Sequence, residues 1–172
     1  WELIVVDDGS EDHTHLEVKK FDDPRIKYFR TEHKGLVHAR NFGNEKAISD
    51  IIATQDADDL SMPDRLEKCL SILNYMSADI LYHGAYLNMW DKQFECIGRK
   101  YLPAYGFIKS ELLECQYTNG WYVFRKSVWR EKPFRMATEF MYDWMCILDW
   151  AYSGFNIVNL DEGLYEYVRH EN

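Results

Sequence analysis

The sequence is poor in the residues that punctuate or staple a chain. Four prolines and nine glycines in 172 residues leave no linker, no low-complexity stretch and no collagen-like repeat, which excludes a disordered or fibrous protein. The four cysteines, Cys69, Cys96, Cys115 and Cys146, include no C-x-x-C pair and have no His at zinc spacing, so neither structural zinc nor a disulfide scaffold is expected. Reduced thiols and a cytoplasmic location are. No apolar run approaches the roughly 18 residues needed to span a bilayer, and no signal peptide stands at the start. Basic residues are in deficit, with 20 Lys and Arg against 29 Asp and Glu and a formal net charge of −9. A surface of that sign repels polyanions, so nucleic acid is not expected as a partner.

What is present is a hydrophobic fraction of 47% in a chain long enough to bury roughly 70% of its unfolded surface in one domain. Trp1 runs straight into an apolar segment with no initiator Met, as if the chain were a piece of a larger protein. Residues 3–6, Leu-Ile-Val-Val, form a β-branched run that stops at Asp7-Asp8-Gly9-Ser10, the pattern of a buried parallel strand ending in a turn. Ser10 and Asp12 can cap a helix over 14–21, Pro24 breaks it, and 26–29 is the next strand.

Gly35 then precedes a helix over 36–48, and the strand 51–54 runs into Asp56-Ala57-Asp58-Asp59. Pro63 sits where proline starts a helix, followed by Leu66, Cys69, Leu70, Leu73 and Met76 at helical spacing. Residues 80–88 and 121–124 are strand-like, 107–115 suggest a short helix after a turn near Asp91, Tyr142–Tyr152 form a helix stopped by Gly154, and 155–160 and 165–169 are closing strands. Strands alternating with helices predict an α/β fold with a Rossmann-like, mainly parallel sheet flanked by helices. Ligands of such sheets bind outside the carboxyl ends of strands, where both acidic clusters fall.

Asp56 and Asp58 flank one small residue, so their carboxylates can share a hard divalent cation. Short acids after a strand also serve as solvated turn groups. An acidic crevice repels a phosphorylated substrate unless Mg²⁺ or Mn²⁺ lies between them, and that ion would stabilise charge on a departing diphosphate. Asp8, at a strand end, is a candidate acceptor for a base or ribose, or else caps its own turn. Asp143 opens a helix, where the macrodipole favours a carboxylate whether or not it does chemistry, and as a general base it would have to face the crevice, partly shielded from water. Trp121, Tyr122 and Trp144 are candidates for stacking on a sugar or base against a simpler packing role. His170 beside Arg169 can assist a phosphate or metal.

Taken in order, WELIVVDDGSEDHT, HKGLVHARNFG, DADDLSMPDRLE, TNGWYVFRKSVW, the Asp143 helix ending in SGF, and LYEYVRHEN resemble the family 2 glycosyltransferases, which have the glycosyltransferase A fold and mostly invert the anomeric centre. The resemblance implies that Asp8 binds the nucleotide base, Asp56 the ribose or diphosphate region, and Asp58 the metal, Mn²⁺ or Mg²⁺. It implies that Arg40 and Asn41 support the nucleotide pocket, that Asn119 and Gly120 lie beside donor sugar and acceptor, that Asp143 is the catalytic base, and that Arg169 and His170 lie near the diphosphate. Residues 1–88 would be the nucleotide-sugar half of a single domain spanning 1–172, and 89–172 the acceptor and catalytic-base half.

The implied reaction moves a sugar from a nucleotide-diphosphate donor, by family habit a UDP-sugar, to an acceptor hydroxyl. Saccharides or lipid-linked saccharides are the acceptors expected in polysaccharide or cell-envelope synthesis, which would bring the protein to the inner face of the membrane as a peripheral visitor. Two departures stand out: Tyr142 occupies a position that is usually Glu, and the family's first strand has no counterpart before Trp1. Rival readings are a nucleotidyltransferase, an inactive glycosyltransferase-like fragment, and a receiver-type signalling domain with Asp59 as phosphoacceptor. The last needs only about two thirds of this length and leaves the Asp143 helix unexplained.

Overall fold

The computed structural model describes residues 1–90, 96–104, 121–135 and 142–170. The expected turn near Asp91 and helix over 107–115, together with Cys115, Asn119 and Gly120, lie outside them. The first unit is β1 (Leu3–Asp7), α1 (Thr14–Val18) and β2 (Ile26–Arg30), with the two strands paired in parallel from Leu3↔Ile26 to Asp7↔Arg30. Asp12 sets the start of α1, its carboxylate accepting from the Thr14 N–H at 2.9 Å and hydroxyl at 2.6 Å. The helix ends earlier than expected, and Phe21 is exposed. The run in β1 is only half-buried, because β1 and β2 form a two-stranded sheet separate from the larger one.

Next come α2 (Leu36–Lys46), β3 (Ile51–Ala53), β4 (Leu60–Ser61), α3 (Arg65–Tyr75), β5 (Ile80–Trp90), β6 (Cys96–Leu102), β7 (Tyr122–Arg125), α4 (Lys126–Glu131), α5 (Tyr142–Tyr152) and β8 (Ile157–His170). Helix α2 ends at Lys46, and the buried ammonium of Lys126 donates to the Glu45 carbonyl in its last turn and the Ala47 carbonyl just past it, a favourable site for a cation.

The larger sheet runs β3-β7-β5-β8-β4, with β6 continuing on β5. The α/β architecture is as expected, but the sheet is mixed rather than mainly parallel. Only β1–β2 and β5–β8 pair in parallel among the described strands; β3–β7, β5–β7, β5–β6 and β4–β8 are antiparallel. A strand–helix–strand pattern fixes direction only within its own crossover, and β7 threads between β3 and β5 against both. The two expected closing strands are one, β8, whose register against β5 shifts between His83 and Tyr86. Gly163 permits that irregularity, since a Cβ there would meet the Tyr86 ring at 2.3 Å.

Alternation along the central strands builds a core on each face. Ile80, Tyr82, Tyr122 and Phe124 pack with Phe134 and with Ile147 and Trp150 of α5, the Trp150 ring lying 5.2 Å from Tyr122 and 5.1 Å from Phe124. On the other face Leu81, Val123 and Leu164 pack against Cys69 and Leu73 of α3. The buried stripe of α3 therefore runs Arg65, Cys69, Leu73, not through Leu66, Leu70 and Met76, which are exposed. Cys69, Cys96 and Cys146 are free thiols. Burial pushes the Cys69 thiol up to about 11, which leaves it unreactive. No helix among the described residues is long and apolar enough to cross a membrane.

Candidate active site

The turn after β3 and the elements α2, β7, α5 and β8 deliver side chains to one place at the end of the sheet. The chain leaves β3 and turns at Asp56–Asp59, closed by the Asp59 N–H donating to the Asp56 carbonyl at 3.3 Å. The Asp56 N–H donates to the Tyr165 hydroxyl at 2.9 Å, pinning this turn to β8. From α2, Arg40 Nη2 donates to Asp56 Oδ1 at 2.5 Å, and Arg40 Nη1 lies 3.6 Å from Asp143 Oδ1 in the first turn of α5. From β7, the Tyr122 hydroxyl donates to Asp143 Oδ1 at 3.1 Å. The Arg40 side chain is only 11% exposed, so its attraction for both carboxylates is screened less than that of a surface pair.

The neighbouring acids behave differently. Asp58 is exposed, and no hydrogen bond or ion pair holds it among the described residues. Asp59 points inward and is buried, its Oδ1 accepting from the Val168 N–H at 2.8 Å. Burial first, with the Asp58 and Asp56 charges, outweighs the Val168 N–H and the Tyr165 hydroxyl and pushes Asp59 up to about 6. The Asp59 contact places the end of β8 beside the acidic turn. Arg169 follows Val168 and is exposed, and the His170 backbone ends the strand opposite Trp90. No group of three or more His, Cys, Asp or Glu able to hold a metal occurs among the described residues. A cation bound through one carboxylate and substrate oxygens needs no such group.

Several expected residues lie apart from this cluster or are spent elsewhere. Asp8 accepts from the Lys34 N–H at 2.9 Å and the Gly35 N–H at 2.8 Å, and pairs with His33 at 2.9 Å. Burial raises its pKa, but those donors prevail and hold it below the usual carboxylate range. Asp8 thus fastens the loop leading into α2 and makes no bond to Arg40, Asp56 or Asp143. Asn41 accepts from Trp129 Nε1 at 2.8 Å and the Phe134 N–H at 3.1 Å and donates to the Phe134 carbonyl at 2.8 Å. Trp121 is buried against Tyr165 and Tyr167, and Trp144 packs partly buried against the core beneath α5.

Sequence reading missed Tyr165, whose hydroxyl accepts from the Asp56 N–H, and the buried Arg65 and His83, joined at 2.9 Å. Nothing in the periodicity marked them, since each looks like one more polar or aromatic position in its element.

The fold is that of the glycosyltransferase A class. Over 99% of its length the chain superposes on S. aureus TarS residues 1–349 in complex with UDP-GlcNAc, with a TM-score of 0.72, 18% identity and 50% of that chain covered. TarS in complex with UDP gives a TM-score of 0.73 at 19% identity, over 98% of this chain and 51% of that one. Residues 1–135 match the family described as Glycosyl transferase family 2, to which this chain belongs.

The chain is also similar along 100% of its length to the putative glycosyltransferase EpsE of Bacillus subtilis, with 32% identity and 63% of that protein covered. It is 37% identical, over 48% of its length, to the UDP-Glc:alpha-D-GlcNAc-diphosphoundecaprenol beta-1,3-glucosyltransferase WfgD of Escherichia coli, of which 33% is covered. It therefore spans less than two thirds of each of these relatives.

Proposed function

We propose that this chain carries the donor site and catalytic base of an inverting glycosyltransferase that moves a sugar from a UDP-sugar to a hydroxyl of a saccharide or lipid-linked saccharide. The observation that carries this reading is the Arg40 guanidinium set between Asp56 and Asp143, which joins the acidic turn to a carboxylate otherwise remote in sequence. The UDP and UDP-GlcNAc in the TarS structures and the UDP-Glc in the name of WfgD support a uridine diphosphate donor. On this reading residues 1–88 form the donor half of one domain spanning 1–172 and 89–172 the acceptor half. Asp8 faces the base, with Arg40 and Asn41 behind the nucleotide. Asn119, Gly120, Trp121 and Trp144 border the sugars, and Arg169 and His170 approach the diphosphate. A lipid-linked acceptor would bring the cytoplasmic protein to a membrane surface.

In the reaction Asp143 accepts the proton of the acceptor hydroxyl as that oxygen attacks the anomeric carbon. The bond from that carbon to the diphosphate oxygen breaks on the opposite side, its electron pair leaving with the nucleotide, so configuration inverts. Arg40 and the Tyr122 hydroxyl hold the Asp143 carboxylate in place for that transfer. Asp58, exposed and without a hydrogen bond or ion pair among the described residues, would hold a divalent cation, and Mn²⁺ or Mg²⁺ there would supply positive charge for the leaving group. The receiver reading is not favoured, because buried Asp59 offers no accessible phosphoacceptor.

The test is calorimetric titration of UDP into the intact protein with Mn²⁺ and with chelator, for wild type and Asp58→Ala. Metal-dependent binding that the substitution abolishes supports the proposal. Absence of binding by wild type in both conditions overturns it.

A further inference from the structure

Beneath the acidic turn lies a charge that the proposed reaction does not use. Arg65 occupies the first position of α3 and is 1% exposed. Its Nη2 donates to the Thr54 carbonyl at 2.9 Å, its Nη1 to Gln55 Oε1 at 3.2 Å and Ser61 Oγ at 3.0 Å, and its Nε to His83 Nε2 at 2.9 Å. The guanidinium also lies over the Tyr165 ring, 4.7 Å from its centroid. No carboxylate pairs with it among the described residues. An Arg Nε–H can only donate, so His83 Nε2 is the acceptor. The other nitrogen, Nδ1, then carries the imidazole proton and donates to the Gly84 carbonyl at 2.9 Å.

A guanidinium buried without a carboxylate is costly, and an apolar residue in line with Cys69 and Leu73 would pack at less expense. Its hydrogen bonds explain what the position does. Thr54 and Gln55 precede the turn and Ser61 follows it, so one rigid fork ties both flanks of Asp56–Asp59. Through its ring, Tyr165 extends the same support to the Asp56 N–H. The Thr54 N–H and hydroxyl donate to the Tyr122 carbonyl at 3.3 and 3.2 Å, which links the fork to the residue bonded to Asp143. Asp56, Asp58 and Asp59 repel one another within four residues, and a fixed cation below them offsets that repulsion.

We propose that Arg65 is a positioning residue that holds the acidic turn in the geometry required to bind the diphosphate donor. This rests on the reading of the turn as the donor site. The planar fork matters as well as the charge, so lysine cannot replace it.

The test compares wild type, Arg65→Lys, Arg65→Met and the double variant Gln55→Ala/Ser61→Ala in the intact protein. The double variant removes acceptors on both flanks while leaving the buried side chain in place, and it decides the matter if the Arg65 variants do not fold. Amide hydrogen exchange without ligand reads the turn directly at Asp56 and Asp59. Steady-state kinetics compares donor KM with kcat and with acceptor KM. Expected are exchange at those two amides and a donor KM each raised at least about tenfold, with acceptor KM unchanged, as a displaced binding group requires.

Unchanged exchange at Asp56 and Asp59 in folded variants overturns the proposal. So does a loss shared equally by donor and acceptor KM that merely follows melting temperature. If wild type binds no UDP, the donor-site reading fails, and with it the role assigned to Arg65, whereas binding that the variants retain undiminished removes the role of Arg65 alone.

Discussion

Arg40 lies 2.5 Å from Asp56, an ion pair that fastens the middle of α2 to the turn after β3. The same guanidinium reaches Asp143 at 3.6 Å, so one cation serves two carboxylates that would otherwise repel. Arg40→Ala is expected to lower kcat/KM for the donor by about 100-fold or more, the scale on which a preorganised charge contributes to transfer. Arg40→Lys should recover part of the loss, since lysine restores the charge but not two-point geometry. Kinetics with saturating acceptor would check both, and a change of less than threefold in Arg40→Ala would remove the cation from the site.

Asp143 makes a separate prediction because it stands on α5, away from the acidic turn. Asp143→Asn keeps size and polarity but cannot accept the proton. It should lower kcat by about 10²- to 10⁴-fold while UDP affinity stays within about twofold. Calorimetry and single-turnover kinetics on the same preparation separate the two quantities. Equal losses in binding and turnover would instead make Asp143 part of the donor pocket.

Asp56 and Asp143 stood out in the sequence because their surroundings are local, whereas Arg40 was reached only through the family resemblance. An acid after a β-branched run, or in the first turn of a helix, is visible without knowing the fold. Arg65 was not, since helical periodicity weighs only apolar residues and so placed the buried stripe on Leu66 and Leu70, which are 46% and 44% exposed. The strands were legible as strands, but the opposed direction of β7 and the joining of two closing segments into β8 depend on pairing across the sheet. For Asn41 the family resemblance gives a position and a role, yet cannot say where its amide is spent.

Asn41 consequently has a structural prediction of its own. Asn41→Ala leaves the Phe134 N–H and carbonyl and Trp129 Nε1 without their partner, and Phe134 is part of the main core. The expected cost is about 2–4 kcal/mol, seen as a melting temperature lower by roughly 5–10 °C. UDP affinity measured well below that temperature should change little. A large loss of affinity with no loss of stability would mean that Asn41 touches the nucleotide itself.

His83 predicts a dependence of stability on pH. Burial, and then the Arg65 guanidinium, depress its pKa from 6.5 to about 4, against a smaller opposing effect of the Gly84 carbonyl. Tyr165 is the other titratable group beside it, with ring centroids 6.4 Å apart, and burial keeps that phenol neutral. Between about pH 4 and 6.5 the unfolded chain binds a proton at His83 that the folded chain refuses. Stability from this group is therefore complete above pH 6.5 and is lost as pH falls towards 4, by on the order of 2–3 kcal/mol. Asp59, raised from 3.8 to about 6, acts in the opposite sense across much of this range, so wild type alone would show little slope. His83→Gln isolates the effect, since the Gln carbonyl can still accept from Arg65 without titrating. Urea unfolding of both proteins at pH 4.5, 5.5, 6.5 and 7.5 should show the wild type losing stability relative to His83→Gln as pH falls, with no further divergence above pH 6.5. A difference that is constant across the series would mean that His83 is not held neutral against Arg65.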